Sequence, residues 1–203
     1  MKKLFCFLVM LLCCLGAASA FAADDYWNDE IYKAIEQQVK ANTPTFPNVD
    51  FVVTDSKYSD LVSDMEEEYF VSDGAEGHKT MTQTVKDYTK AIQTAIDDAS
   101  KAGGGRVVIP AGTWHTGALR LQSNVNLVVS EGAHLCFSDN PDLYPLVTTR
   151  WEGLDLINYS PLIYAYQATN IAITGSGILD GCGSDTSWWP MCGNARYGWT
   201  PST

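Results

Sequence analysis

The residues that could do chemistry in this chain fall in its last third. Arg150, Trp151 and Glu152 stand together as a candidate groove wall, an arginine for a carboxylate and an indole for a flat ring. Arg150 and Glu152 could equally form a structural pair beneath a packed Trp151. Trp188 and Trp189 could form a platform for a sugar ring, with only one of the two facing a groove because neighbouring residues point apart; a hydrophobic plug is the plainer alternative. Asp180, followed by Gly181, reads as a turn aspartate bonded to its own backbone rather than as an acid catalyst. His115 and His134 alternate with apolar neighbours and read as strand histidines. Asp97-Asp98 lies on a helical pattern, where it reads as a solvated face. Gly77-His78 has no catalytic partner nearby. Gly175-Ser176-Gly177 is followed by strand rather than helix, which excludes a phosphate loop. No CxxC or HExxH spacing is present, so no metal site is expected.

These residues need a scaffold, and the stretch from Gly103 to Gly181 describes one. Short β-branched runs separated by Gly, Asn and Ser predict strands over 106–109, 114–121, 125–129, 134–137, 162–165, 171–174 and 177–179. Ser123-Asn124-Val125-Asn126-Leu127-Val128-Val129 returns as Thr169-Asn170-Ile171-Ala172-Ile173-Thr174-Gly175, and Asn124 and Asn170 are 46 positions apart. That spacing predicts two turns of a coil of roughly 23 residues, a solenoid of strands. Asn124 and Asn170 then sit at equivalent corners and stack. Residues 138–161, with Pro141, Pro145 and Pro161, interrupt the series as a long excursion, a place where function concentrates. Tyr88, Ala91, Ile92, Ala95, Ile96 and Ala99 recur at i, i+3, i+4 spacing and predict an amphipathic helix that Gly103-Gly104-Gly105 stops. Its task is to cover the apolar end of the first coil.

Upstream, Trp27, Ile31, Ile35 and Val39 predict a helix with Asp24 and Asp25 at its start, broken by Pro44 and Pro47. Phe51-Val52-Val53 predicts a first strand. Residues 55–84, centred on Glu66-Glu67-Glu68, read as a solvated acidic loop or helix face. Lys2 and Lys3, the apolar run from Leu4 to Leu15 and the small residues up to Ala22 predict a secretory signal peptide over 1–22, with a lipoprotein site at Cys13-Cys14 the weaker reading. The expected division is therefore 1–22 signal peptide, 23–84 an N-terminal segment and 85–203 the start of the coil domain. The product is expected outside the cytoplasm, secreted or periplasmic, and free of the membrane once cleaved.

The chain has 203 residues, 46% apolar and 18% charged, enough for one core and too apolar for disorder. Losing Lys2 and Lys3 from 13 basic residues leaves 11 against 24 acidic, a balance of −13. No basic stripe remains to neutralise phosphates, so a nucleic-acid partner is excluded. Of the six cysteines, Cys6, Cys13 and Cys14 belong to the signal segment. Cys182 and Cys192 flank a Trp-rich loop and are a candidate pair in an oxidising compartment, and Cys136 reads as a small buried hydrophobe.

The blocks Lys90-Ala91-Ile92-Gln93-Thr94-Ala95-Ile96-Asp97, Val108-Ile109-Pro110-Ala111-Gly112-Thr113-Trp114 and Gly117-Ala118-Leu119-Arg120-Leu121-Gln122-Ser123-Asn124-Val125 resemble the N-terminal half of glycoside hydrolase family 28, the pectin-degrading polygalacturonases. So do Gly132-Ala133-His134-Leu135, Thr149-Arg150-Trp151-Glu152-Gly153, Asn158-Tyr159-Ser160-Pro161-Leu162-Ile163-Tyr164, Asn170 through Gly181, and Trp188-Trp189. The resemblance covers residues 88–192 well and 44–54 loosely. It implies a mostly β chain, the N-terminal portion of a right-handed parallel β-helix with a capping helix. It implies inverting hydrolysis of α-1,4-galacturonosyl bonds without a cofactor or metal, on a pectic polysaccharide or oligogalacturonide, by a monomer. An inverting glycosidase needs one carboxylic acid for the leaving oxygen and one carboxylate for water. The family draws them from Asn-Thr-Asp and Asp-Asp blocks, assisted by Gly-His-Gly and Arg-Ile-Lys. None of these stands in this chain at a catalytic place, so the catalytic residues are expected C-terminal to Thr203 and the chain alone is expected to be inactive. Arg150, Trp151, Glu152 and Trp188 are the substrate-binding candidates. A calcium-dependent pectate lyase-type β-helix and a non-catalytic carbohydrate-binding or adhesion module are the alternatives.

Overall fold

The computed structural model describes residues 29–41, 43–72, 78–183 and 188, with the backbone alone at 41, 68–72 and 78–80. The predicted signal segment, Asp24, Asp25, Trp27, Gly77, the His78 side chain, Trp189 and Cys192 lie outside what is described. Two compact units are formed, residues 1–43 and 44–203.

The described part of the first unit is helix α1, Asp29–Ala41. Ile31, Ile35 and Val39 line one exposed side of it, and Glu36 and Lys40 pair at 2.7 Å one turn apart.

The second unit is a stack of parallel rungs. Its elements run β1 (Asp50–Val52), the short helix α2 (Ser56–Ser59), β2 (Ser63–Ser72), β3 (His78–Asp87), α3 (Thr89–Lys101), β4 (Gly105–Ile109), β5 (Gly112–Thr116), β6 (Leu119–Arg120), β7 (Val125–Val129) and β8 (Ala133–Phe137). A 3-10 turn (Pro141–Leu143) follows, then β9 (Leu146–Trp151), β10 (Leu154–Tyr159), β11 (Ile163–Tyr164), β12 (Ala172–Thr174) and β13 (Ile178–Asp180). One face carries the parallel order β1-β4-β7-β12, the second carries β13-β8-β5-β3-β2, and the third pairs β11 with β6. Successive strands of a coil thus lie on different faces, and each pairs with its counterpart one coil away. This is a right-handed parallel β-helix.

Register corrects the reading of the repeat. Arg106 pairs with Asn126, an offset of 20 residues, and Asn126 pairs with Ala172, an offset of 46. The two copies therefore sit on adjacent coils, not two turns apart. The surplus is looped out between residues 138 and 161, where β9 and β10 form an antiparallel hairpin. Rung spacing depends on hydrogen-bond register, which an insertion between rungs does not alter.

The corners hold as the sequence suggests. Asn124 (φ 65°) and Asn170 (φ 54°) are both left-handed, a conformation asparagine tolerates better than most residues. Asn170 Nδ2 donates to Asn124 Oδ1 at 3.1 Å and also lies 3.0 Å from the Thr45 carbonyl. Inside the coil Val107, Ile109, Leu119, Val125, Leu127 and Leu135 are fully buried. Helix α3 lays Ala91, Ile92, Ala95, Ile96 and Ala99 against them, and the three alanines let its backbone come close. Asp87 accepts from the Thr89 N–H at 2.8 Å at its start, and Gly104 N–H returns to the Ala99 carbonyl at its end.

Two further expectations change. Residues 63–72 and 78–84 are not a solvated loop or helix: β2 and β3 form a hairpin with ten paired rungs, and Asp87 of β3 joins the second face opposite His115. Acidic residues on β2 meet partners across it, with Lys86 Nζ 2.6 Å from Asp64 and Thr84 Oγ1 donating to Glu66 at 2.7 Å. Acids on both faces hide the two-residue alternation from a sequence reading. The predicted strand 114–121 is also two strands, interrupted at Gly117, where a Cβ would run into Leu143. The first rung of the coil pairs β1 with β4, Asp50 opposite Arg106.

Candidate functional site

The excursion is a two-stranded ribbon with a tight tip. Glu152 (φ 47°) and Gly153 (φ 88°) are both left-handed, as a two-residue type I′ turn requires. The tip puts Arg150, Trp151 and Glu152 side by side in solvent. Trp151 is 66% exposed, opposite Leu154. Arg150 Nη2 donates to the Gly153 carbonyl at 3.1 Å, and its Nε lies 3.9 Å from Asp155 across the ribbon. The alternative of an Arg150–Glu152 pair under a packed indole is therefore not what forms. Arg150 turns along its own hairpin, Trp151 is open and Glu152 heads the turn.

At the base of the ribbon lies a cavity of about 440 Å³. Pro141, Tyr144, Tyr159, Ser160, Pro161, Leu162, Gly181 and Trp188 line it. Tyr144 is nearly buried, meets Trp188 edge-on at 5.4 Å between centroids, and donates from its hydroxyl to the Ser138 carbonyl. Burial pushes its pKa well up, so the ring stays neutral. The Trp188 indole N–H is buried without a partner among the described residues. Trp188 thus lines a pocket, apart from the ribbon tip that carries Arg150 and Trp151. The ribbon is tied to the third face by Tyr164, whose hydroxyl donates to the Thr148 carbonyl at 2.9 Å. Tyr164 and Tyr166 stack in parallel at 6.5 Å.

The outward side of the second face holds contacts that pattern reading left separate. His134 Nε2 and Asp180 Oδ2 are 2.9 Å apart on neighbouring rungs, and His115 Nδ1 is 3.5 Å from Glu67. Asp180 also accepts from the Cys182 N–H at 2.7 Å, the expected turn bond. That N–H and then His134 hold its carboxyl below the ordinary carboxylate range. Asp180 reaches His134 diagonally, since the residue directly opposite His134 is Ile178 and Asp180 stands opposite Cys136. Asp97 and Asp98 are packing groups rather than a solvated face. Asp98 binds Lys57 at 2.6 Å and the Tyr58 hydroxyl at 3.2 Å, joining α3 to α2, and Asp97 accepts from Gln93 and Gln122. Among the described residues no three His, Cys, Asp or Glu side chains converge as metal ligands.

The hyperthermoactive exopolygalacturonase from Thermotoga maritima superposes with a TM-score of 0.61 at 33% identity, covering 84% of this chain and 34% of that one. This chain is similar to polygalacturonases. A probable polygalacturonase from Vitis vinifera is 34% identical over 110 residues, 50% of this chain and 22% of its own length. An exo-poly-alpha-D-galacturonosidase from Dickeya chrysanthemi is 36% identical over 118 residues, 54% of this chain and 18% of its own. No family model matches the chain. The chain spans about a fifth of these two relatives and about a third of the Thermotoga enzyme. The ribbon tip and the pocket are the two places where the candidate binding residues of this chain lie.

Proposed function

We propose that this protein is a pectin-active glycoside hydrolase of the polygalacturonase type, hydrolysing α-1,4-galacturonosyl bonds with inversion. The observation that carries the reading is the shared β-helix, matched over 84% of the chain at 33% identity to an exopolygalacturonase. Within residues 1–203 the parts are for binding. Arg150 pairs with a uronate carboxylate, the open Trp151 ring takes a sugar C–H face, Glu152 accepts a hydroxyl, and Trp188 takes a ring edge in the pocket with Tyr144. The acid that protonates the leaving oxygen and the carboxylate that activates water lie C-terminal to Thr203, since no Asn-Thr-Asp block stands within the 203 residues. The protein acts as a monomer outside the cytoplasm, exported by residues 1–22 and released from the membrane on cleavage.

The test has two arms. The chain of residues 1–203 and the full reading frame that contains it are assayed on polygalacturonate for reducing ends and for unsaturated, ultraviolet-absorbing product. The expected result is reducing ends from the longer product alone, insensitive to a calcium chelator. Release by residues 1–203 above a boiled control would place the carboxylates within them. Unsaturated product lost on chelation would make the protein a lyase, and binding without cleavage by the longer product would make it a carbohydrate-binding module. Export is read separately, by N-terminal sequencing of the mature protein, with Ala23 expected as its first residue.

A further inference from the structure

We propose that Cys136 and Cys182 form a disulfide that bolts the second coil to the third. Cys136 lies on β8, directly opposite Asp180 of β13. Two residues past Asp180 the chain bends back at Cys182, whose φ is 53°. The bend is fixed by the Cys182 N–H on the Asp180 carboxylate at 2.7 Å. It folds the Cys182 thiol onto the strand end, with Sγ 3.6 Å from the Asp180 carbonyl. The Cys136 Sγ sits 4.0 Å from the His134 carbonyl on the facing strand. The Cys182 thiol thus lies just past the end of the rung on which Cys136 pairs with Asp180, within reach of the Cys136 side chain, and both are free thiols here. The bond would close a loop of residues 136 to 182 that contains the whole β9–β10 ribbon.

The chemistry is a two-electron oxidation by an external disulfide such as oxidised glutathione. One cysteine thiolate attacks that disulfide, forming a mixed disulfide and releasing one glutathione thiol. The second cysteine thiolate displaces the other, so two protons and two electrons leave and Sγ joins Sγ. Burial raises both thiols above their ordinary pKa, Cys182 to about 12. Thiolate is therefore scarce once the rung is packed, and the bond closes as the third coil docks rather than afterwards.

The competitor is Cys192, only ten positions from Cys182. Loop-closure entropy alone favours that shorter link in an unfolded chain. The full chain, with Cys6, Cys13 and Cys14 changed to Ser, is oxidised with glutathione disulfide in urea and, in parallel, during refolding in native buffer. Non-reducing peptide mapping then reads the pairs. The expected result is Cys182–Cys192 in urea and Cys136–Cys182 on refolding. The refolded product loses roughly 5–10 °C of Tm on reduction. C192S keeps both the link and the Tm response, and C136S loses both. Cys182–Cys192 or three free thiols in native buffer, or an unchanged pairing pattern between the two conditions, overturns the proposal. None of these readouts depends on pectin hydrolysis or on export.

Discussion

The coil interior and the β9–β10 ribbon are built from the same residue types and treat them in opposite ways. Leu127 and Leu135 are fully buried, each on a rung with neighbours above and below. Leu154 and Ile157 of the ribbon are each 71% exposed. In the coil, apolar side chains hold the fold and tolerate little change. In the ribbon they contribute little to stability, and a two-stranded hairpin on its own is marginal. Its residues are free to serve contact instead. The difference shows that apolar character in this chain marks two unlike duties, separated by whether a rung stacks on both sides.

The sharpest way to break that comparison is Leu127→Ala. It should cost about 2–5 kcal/mol, read as a fall in the denaturation midpoint, because the cavity it leaves lies between rungs that cannot close. A cost below 1 kcal/mol would mean the coil is not packed as described. Next is Asn124→Ala, which removes the bond from Asn170 and leaves a left-handed corner to a residue that avoids it; about 1–3 kcal/mol should be lost. Asn124→Gly, which relieves the backbone, should recover part of that loss.

On the ribbon the expected effects move from stability to binding. Trp151→Ala should leave the melting temperature within experimental scatter and weaken oligogalacturonide binding about tenfold, near 1.4 kcal/mol, by calorimetry. A destabilised fold with unchanged binding would assign the indole to packing. Ile157→Ser should change stability by no more than about 0.5 kcal/mol.

The smallest effect concerns Asp180. Its folded pKa lies below the ordinary 3.8, so its contribution is complete above the unfolded value and disappears as pH falls through 3.8 and below. Because its side chain is 42% exposed, solvent screens the interaction and the contribution is a few tenths of a kcal/mol. Asp180→Asn should lower stability slightly at neutral pH, and the difference from wild type should vanish in acid. A difference that persists unchanged below that range would point to the turn geometry rather than to charge.

Much of the scaffold was legible from local pattern. The strand Val125–Val129, helix α3 and the asparagine corners follow from β-branched runs, i, i+4 spacing and the conformational tolerance of asparagine. The acidic hairpin β2–β3 was not, because its pairing depends on partners supplied across the hairpin and not on a polar–apolar alternation. The candidate binding residues were legible as types, but not their arrangement. Arg150 and Trp151 share an exposed tip, while Trp188 lies with Tyr144 in a separate cavity.

Residue order by itself determined that short strands with glycine and asparagine corners would coil, since backbone preference and side-chain period act locally. Only the tertiary structure decided that positions 46 apart are neighbours on adjacent coils, and that His134 meets Asp180. The reason is physical: hydrogen-bond register measures distance across rungs, and chain inserted between two rungs changes the count of residues without changing that distance.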